Sequence, residues 1–308
     1  MKDKEQNMNK IVVLSALFLV TIFGGTDFAQ AGLTKIADNV YAYENVKNAG
    51  PANSFSANAG IIVGNDGIVV VDTLISAKEA QRFIKDIRKI SDKPIRYVIN
   101  THSHLDHTFG NAEFVKLGTV IISQANCREN MLKNSEETLK NAAQHGLTPA
   151  QMEGTKIAYP TVTFTDRMTI YLDNQPIELI YIGPSHTTGS IMVNLPAQKV
   201  LFAGDILFTD FHPYLGDGDI PGWIKNLDYI ESLHVEKIIP GHGPVSGKGD
   251  IEDMKSYLVA FDVKARELVQ QKKDAATIAA ELEKLLPAKS QAEWMIPYNL
   301  RMKYLNGK

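Results

Sequence analysis

Three of the eight histidines in this chain lie within six residues, in the run Thr101-His102-Ser103-His104-Leu105-Asp106-His107. The run follows directly on Ile95 to Ile99, a β-branched stretch that reads as a buried strand. Imidazoles crowded in this way suit a hydrophobic core badly, because each buried ring needs polar partners. They suit a metal, since a neutral imidazole nitrogen is a good donor to zinc. A solvated histidine-rich loop is the competing reading of this segment taken alone.

Three further segments bear on that choice. Gly183-Pro184-Ser185-His186-Thr187-Thr188-Gly189-Ser190 lies between two apolar strands, Phe202-Ala203-Gly204-Asp205 ends a strand in an aspartate, and Pro240-Gly241-His242-Gly243-Pro244 ends another. Each sets a candidate ligand immediately after an apolar strand, beside glycine that lets the backbone turn tightly. Five of the eight histidines thus fall at strand exits.

The rest of the chain alternates short strands with helices in both halves. Val40 to Tyr43 reads as a strand. Ile61 to Val63 and Ile68 to Val71 form a hairpin about Gly64-Asn65-Asp66-Gly67. Ser76 with Glu79 reads as a capping box opening a helix whose apolar face is Ala80, Phe83, Ile84, Ile87 and Ile90. Ala125 to Lys140 and a segment about Trp223 read as helices, and Met254, Leu258, Phe261, Ala265 and Leu268 form a stripe in a helical C-terminal part. The loop Glu44 to Ser56, rich in Asn, Gly and Pro, is expected to move. Strands mixed with helices predict an α/β fold of two sheets covered by helices. No linker separates two domains, so the expectation is a catalytic domain over residues 32–248 with a helical extension over 249–308.

With Val70-Val71-Asp72-Thr73 added, these ordered motifs resemble the metallo-β-lactamase superfamily from about Val40 to Pro244. The resemblance implies an αββα sandwich of two mixed sheets. It implies one metal held by His102, His104 and His186, a second held by Asp106, His107 and His242, and Asp205 bridging the two. Asp106 is also given a catalytic role, and Asp72 buttresses the metal loop without being a ligand. One large lactamase subclass carries cysteine where this chain has Asp205. The complete ligand set here is more similar to that of glyoxalase II, lactonases and related ester or thioester hydrolases.

The chemistry of such a site agrees with this. Two zinc ions about 3.5–4 Å apart can hold a bridging hydroxide as nucleophile while polarising a carbonyl. Coordination lowers the pKa of water to about 7. Two Zn2+ with two aspartates and one hydroxide leave a net positive centre, which favours an anionic small-molecule substrate. The resulting expectation is an exported dinuclear zinc hydrolase of an ester, thioester, lactone or amide-type bond. The alternatives are a β-lactamase, a sulfur dioxygenase with mononuclear iron on His102, His186 and Asp205, and a non-catalytic metal or ligand binder.

Outside the motifs, Cys127 is the only cysteine, so no intramolecular disulfide forms, and it reads as a small buried residue. A net charge of −3 with no basic run argues against nucleic acid as partner. Lys2, Lys4 and Lys10 precede the apolar run Ile11 to Phe23 and an Ala29-Gln30-Ala31 cleavage pattern, which reads as a signal peptide over residues 1–31 and a periplasmic or secreted product without a membrane span. The expected substrate rim is Phe55, Phe211, His212 and Tyr214, all on loops leading toward the motifs. His145 and His234 match no motif.

Overall fold

The structure, a computed structural model, describes residues 32–44 and 48–305. The export leader expected over residues 1–31 lies outside the described residues.

Among the described residues the strands form a seven-stranded and a five-stranded sheet. The first sheet holds, in spatial order, β1 (Gly32–Ala37), β2 (Val40–Glu44), β3 (Ala59–Val63), β4 (Ile68–Val71), β5 (Ile95–Ile99), β6 (Val120–Gln124) and β7 (Val162–Phe164). Pairing is antiparallel from β1 to β4 and parallel from β4 to β7. The second sheet holds β8 (Arg167–Leu172), β9 (Gln175–Ile180), β10 (Met192–Leu195), β11 (Val200–Phe208) and β12 (Lys237–His242), antiparallel except where β11 meets β12. Both sheets are mixed, as the expected sandwich requires.

The period-two pattern of the strands decides the layers. Val69, Val71, Ile99 and Ile122 of the first sheet share an interior cluster with Leu179, Val193, Phe202 and Ile239 of the second. Their neighbours Ile68, Val70, Val98 and Ile121 belong to a different cluster, packed on α1 (Ala77–Ile90), with α2 (Leu105–Thr108) and α3 (Asn111–Val115) following β5. Ala80, Phe83 and Ile87 of α1 and Phe114 of α3 meet them there. Each such large apolar side chain contributes about 1.5–3 kcal/mol by leaving water. Ser76 Oγ accepts from Glu79 N at 3.2 Å and caps α1. Glu79 itself turns to Arg82 Nη2 at 2.5 Å, so only one half of the expected capping box forms.

After β6 come α4 (Ala125–Lys140) and the short α5 (Pro149–Met152). The outer face of the second sheet is covered by α6 (Ile220–Ser232) and α7 (Gly249–Gln270), followed by α8 (Ala275–Leu285) and α9 (Met295–Asn299). Leu201 and Ala203 share one cluster with Trp223 and Leu227 of α6 and with the expected stripe Met254, Leu258, Phe261, Ala265 and Leu268 of α7. The C-terminal helices are therefore an outer layer of the sandwich. Among the described residues, no helix is long and apolar enough to cross a membrane.

Two features differ from the sequence expectation. Strand β1 carries no sequence signal, because it is an edge strand on which only Ile36 is buried, so it lacks an apolar face. The loop expected to be mobile ends in a packed turn, Pro51–Ser56, with Ser54 and Ser56 wholly buried and Ser54 Oγ accepting from Ile75 N at 3.2 Å. Ser54, Phe55 and Ser56 all hold left-handed backbone (φ 53°, 52° and 65°), which costs energy for residues with a Cβ and recurs beside functional sites.

Candidate metal centre

Five strands bring the candidate residues together at one edge of the sandwich. Asp72 follows β4, His102 and His104 lie on the loop leaving β5, and Asp106 and His107 sit in α2. His186 lies on the loop between β9 and β10. Strands β11 and β12 run further than expected, to Phe208 and His242, so Asp205 lies inside β11 and not at its exit. It occupies the stretch where the β11–β12 register shifts, between Gly204 and Phe208.

Ligand-type atoms of His102, His104, His186 and Asp205 all lie within 4.8 Å of one another, and so do those of Asp106, His107 and His242. These are the groups expected for two metals, with Asp205 touching both. Asp205 Oδ2 is 3.1 Å from His186 Nε2 and 3.5 Å from His242 Nε2, while Asp205 Oδ1 is 3.1 Å from His107 Nε2. Asp106 Oδ2 is 3.3 Å from His242 Nε2. His102, His107 and His186 are wholly buried, whereas the side chains of His104 and Asp106 keep 20% and 11% of their surface. The cluster is therefore open to solvent at His104 and Asp106.

The outward nitrogens of four histidines are held by oxygen acceptors. Asp72 Oδ2 accepts from His107 Nδ1 at 2.8 Å, the Phe55 carbonyl accepts from His242 Nδ1 at 3.1 Å, and Asp217 Oδ2 accepts from His104 Nε2 at 2.9 Å. Thr101 Oγ1 donates to Asp72 Oδ2 at 2.7 Å, which leaves its oxygen to accept from His102 Nδ1 at 3.1 Å. A carboxylate or carbonyl only accepts, so the N–H of each neutral ring points outward and its lone pair points into the cluster. Asp72 also accepts from Thr101 N at 2.8 Å, and its own backbone is left-handed at φ 61°. Its carboxylate thus ties the start of the metal loop to His107.

The inward atoms fit metal ions. His102 Nε2, His107 Nε2 and Asp205 Oδ1 are buried without a hydrogen-bond partner, although His107 and Asp205 stand 3.1 Å apart. Orphaned buried polar atoms of this kind are costly in a fold that gives them nothing to bind. An imidazole and carboxylate donor set of this composition suits zinc, and nitrogen and carboxylate oxygen also suit iron.

Electrostatics point the same way. Burial alone would raise the Asp205 carboxyl, but His242, His107, His102 and His186 around it hold it well below the usual carboxylate range. Burial drives the His102 imidazole well below its ordinary value, with His107 adding repulsion. For His107 burial acts downward too, but Asp205, Asp106 and Asp72 outweigh it and raise the ring well above 6.5. Three buried carboxylates, Asp72, Asp106 and Asp205, thus lie among these rings, a concentration of negative charge that suits bound dications.

The expected rim divides. Tyr214 is half-buried with its ring 5.5 Å from His104 and 6.2 Å from His186, and half-buried Phe55 sits beside His242. Phe211 and His212 do not line the cleft, being 1% and 4% exposed. The Phe211 ring packs 4.8 Å from His242 and 5.9 Å from Phe208, inside the second sheet's outer core, and His212 Nδ1 bonds the Tyr257 hydroxyl at 2.8 Å. Cys127 is buried and its thiol is pushed up to about 12, in keeping with a core residue. His234 is exposed, just past α6.

Four residues at or near the site carried no sequence signal. Asp217 holds His104. Half-buried His145 lies within electrostatic reach of both Asp106 and His104. Trp294 and Tyr298 extend the aromatic surface from Phe55 to Tyr214, with ring centroids 6.1 Å (Phe55–Trp294), 6.3 Å (Trp294–Tyr298) and 5.9 Å (Tyr298–Tyr214).

A two-sheet sandwich with histidines and aspartates gathered at one edge is the design of a metal-dependent hydrolase. The profile of the metallo-beta-lactamase superfamily matches residues 52–242, and the chain belongs to that family. It is 25% identical over 255 residues to a metallo-beta-lactamase type 2 of Bacteroides fragilis, covering 80% of this chain and 94% of that protein. It is 28% identical over 229 residues to a linear primary-alkylsulfatase of a Pseudomonas species, covering 63% of this chain and 43% of the relative. The chain thus spans less than half of the alkylsulfatase. Among solved structures, a metallo-beta-lactamase from Pontibacter korlensis superposes with a TM-score of 0.61 at 20% identity, over 75% of this chain and 99% of that one. A sec-alkylsulfatase from Pseudomonas superposes with a TM-score of 0.66 at 20% identity, over 89% of this chain and 50% of that one. These likenesses establish the fold.

Proposed function

We propose that the protein is an exported dinuclear zinc hydrolase acting on a small substrate with an ester, thioester, lactone or amide-type bond. The observation that carries this reading is the set of four outward imidazole nitrogens bonded to oxygen acceptors, which turns the other nitrogen of each of these rings into the cluster. His102, His104 and His186 would hold one ion, Asp106, His107 and His242 the other, and Asp205 both. Bound zinc would supply Lewis-acid polarisation of a carbonyl and a water nucleophile available near neutral pH.

The chain's own residues do the rest. Asp72, Thr101, Asp217 and the Phe55 carbonyl orient the ligands, so little reorganisation is needed when charge develops. Asp106, on the open side, would hold the second ion through Oδ2, which faces His242 Nε2 at 3.3 Å, and is the carboxylate placed to move a proton at the entrance. Tyr214 and Phe55 border the entrance and exclude water from part of it. Export rests on the leader-like residues 1–31, and an anionic substrate on the two dications it would meet directly, since Asp72 and Asp217 lie behind the ligand rings.

A second reading, β-lactam hydrolysis, is favoured by the Bacteroides fragilis relative, of which the chain covers 94%. One experiment tests both. The mature protein, loaded with zinc, is assayed on a panel of aryl ester, thioester, lactone, β-lactam, alkyl sulfate and phosphodiester, with elemental analysis alongside. Two zinc ions per chain with turnover of an ester, thioester or lactone support the first reading, and turnover of the β-lactam alone supports the second. Absence of tightly held metal, or iron in its place, defeats both.

A further inference from the structure

The C-terminal segment reaches back to the metal cluster. Trp294 caps α9, Tyr298 lies one turn on, and their rings join Phe55 on one side and Tyr214 on the other. The arc so formed begins at His242, whose Nδ1 bonds the Phe55 carbonyl at 3.1 Å, and ends edge-on to His104 and His186 at Tyr214. It therefore borders both ligand groups.

Two observations separate this arc from ordinary scaffold packing. Trp294 keeps 44% of its surface, whereas the chain's other tryptophan, Trp223, is wholly buried with its Nε1 bonded to the Ile206 carbonyl at 2.8 Å. The arc is also held in place by a buried clamp. Asn299, wholly buried, accepts from Leu215 N at 2.7 Å through Oδ1 and donates to the Pro213 carbonyl at 2.7 Å through Nδ2. Those are the peptide groups on either side of Tyr214. His212 N bonds the Gln291 carbonyl at 3.1 Å and Ser290 N bonds Asp210 Oδ1 at 2.8 Å, which tie the same two segments together. Rings carried on segments tied together by polar bonds, with Trp294 open to solvent and Phe55, Tyr214 and Tyr298 half-buried, form a preorganised apolar surface.

We propose that Trp294, Tyr298, Tyr214 and Phe55 form a substrate subsite that receives a flat aryl group attached to the scissile bond. Aromatic side chains offer large apolar area in offset or edge-on geometry, which a planar ring matches better than an alkyl chain or a methyl group. Arg301 lies over the Tyr298 ring, 5.3 Å from its centroid, and occupies one of that ring's faces. The rest of the arc is left to the ligand. The inference rests on the reading of the His/Asp cluster as a hydrolytic centre only for the word substrate. Binding of the aryl group can be measured without turnover.

The test uses the zinc-loaded full chain and three carboxylates: phenylacetate, hexanoate and acetate. Trp223 is buried but its ring lies 5.0 Å from that of His186, so a ligand-induced change in tryptophan emission is assigned to Trp294 only by its loss in a Trp294 variant. Phenylacetate is expected to give a saturable change, with hexanoate at least about tenfold weaker and acetate weaker still. Trp294→Phe should abolish the emission change. Calorimetry on Tyr298→Ala should show phenylacetate affinity reduced about tenfold with metal content unchanged. Equal affinity for acetate and phenylacetate, or an unchanged affinity in both Tyr298→Ala and Tyr214→Ala, overturns the subsite. Phenylacetate binding by a protein that hydrolyses nothing on the panel keeps the subsite and removes the hydrolase reading. Panel turnover without aryl preference in binding does the reverse.

Discussion

Asp217 Oδ2 stands 2.9 Å from His104 Nε2, although 113 residues separate them in the chain. His104 is the most exposed histidine of the cluster, so it is the ring with most freedom to turn away. The His104 ring holds Asp217's carboxyl below the usual carboxylate range, so the acceptor stays ionised at neutral pH. An ionised acceptor keeps the proton on Nε2 and the lone pair on Nδ1, which faces His186 Nε2 at 2.9 Å.

Asp217→Asn should therefore lower affinity for the first metal about 10- to 100-fold while the fold survives, since Asp217 lies on an exposed loop. Zinc affinity by competition with a chromophoric chelator measures this. Wild-type affinity in the variant would remove Asp217 from the site's machinery.

Asp72→Ala should cost more than its distance from substrate implies. The change strips three bonds at once, from Thr101 N, Thr101 Oγ1 and His107 Nδ1, and leaves their buried donors unpaired. Losing one partner of a buried charged pair costs about 3–5 kcal/mol. Chemical denaturation of the metal-free forms should show a loss of that order, and reloading should leave the His107 group short of metal. A loss under about 1 kcal/mol would mean that Asp72 is not a buttress.

Gly241→Ala should damage the cluster without touching a ligand. A Cβ at this position would fall 1.8 Å from Asp205 Oδ1 and 2.8 Å from Asp205 N, and the backbone neighbour cannot give way. The carboxylate that both ligand groups share must then shift. Elemental analysis is expected to show fewer than two ions per chain. Two retained ions with wild-type turnover would contradict the placement of Asp205.

His212 should make stability fall in mild acid. Burial, with Lys289 nearby, lowers this imidazole from an ordinary 6.5 to about 4. Between those values the unfolded chain holds more protons than the folded one, so stability is complete above about 6.5 and is lost as pH drops toward 4. The largest loss is roughly 3 kcal/mol. Melting temperatures of wild type and His212→Asn at pH 7 and pH 5, both metal-free, isolate the effect from the ligands. The variant's drop between the two pH values should be the smaller, and equal drops would mean that His212 charges freely in the fold.

Much of the fold was legible because its signals are local. The alternation of Ile68, Val69, Val70 and Val71 assigns two residues to each face of a strand, and both faces proved buried in different clusters. Ser76 and the Ala80, Phe83, Ile87 spacing marked α1 at its first turn. The ligand-type residues were legible for the same reason. His102 to His107 share one loop and a short helix, and His186, Asp205 and His242 each sit beside glycine near a strand end, so composition within a few residues exposes them.

What acts on those residues came from elsewhere in the chain, and only the tertiary structure decided it. Phe211 and His212 stand close to Asp205 in sequence, yet the chain turns them into the core, because sequence proximity does not say which way a side chain faces after a strand ends. Trp294, Tyr298 and Asn299 lie beyond the matched family region, and their place beside Tyr214 depends on α7 and α8 carrying the chain back across the second sheet. Asp217 and His145 sit on irregular segments whose spacing encodes no periodicity. The sequence by itself determined the sheets, the covering helices and the seven ligand-type residues, through patterns a few residues long. The tertiary structure decided which carboxylates and carbonyls orient the imidazoles and which rings face the cleft, because those contacts join segments that only packing brings together.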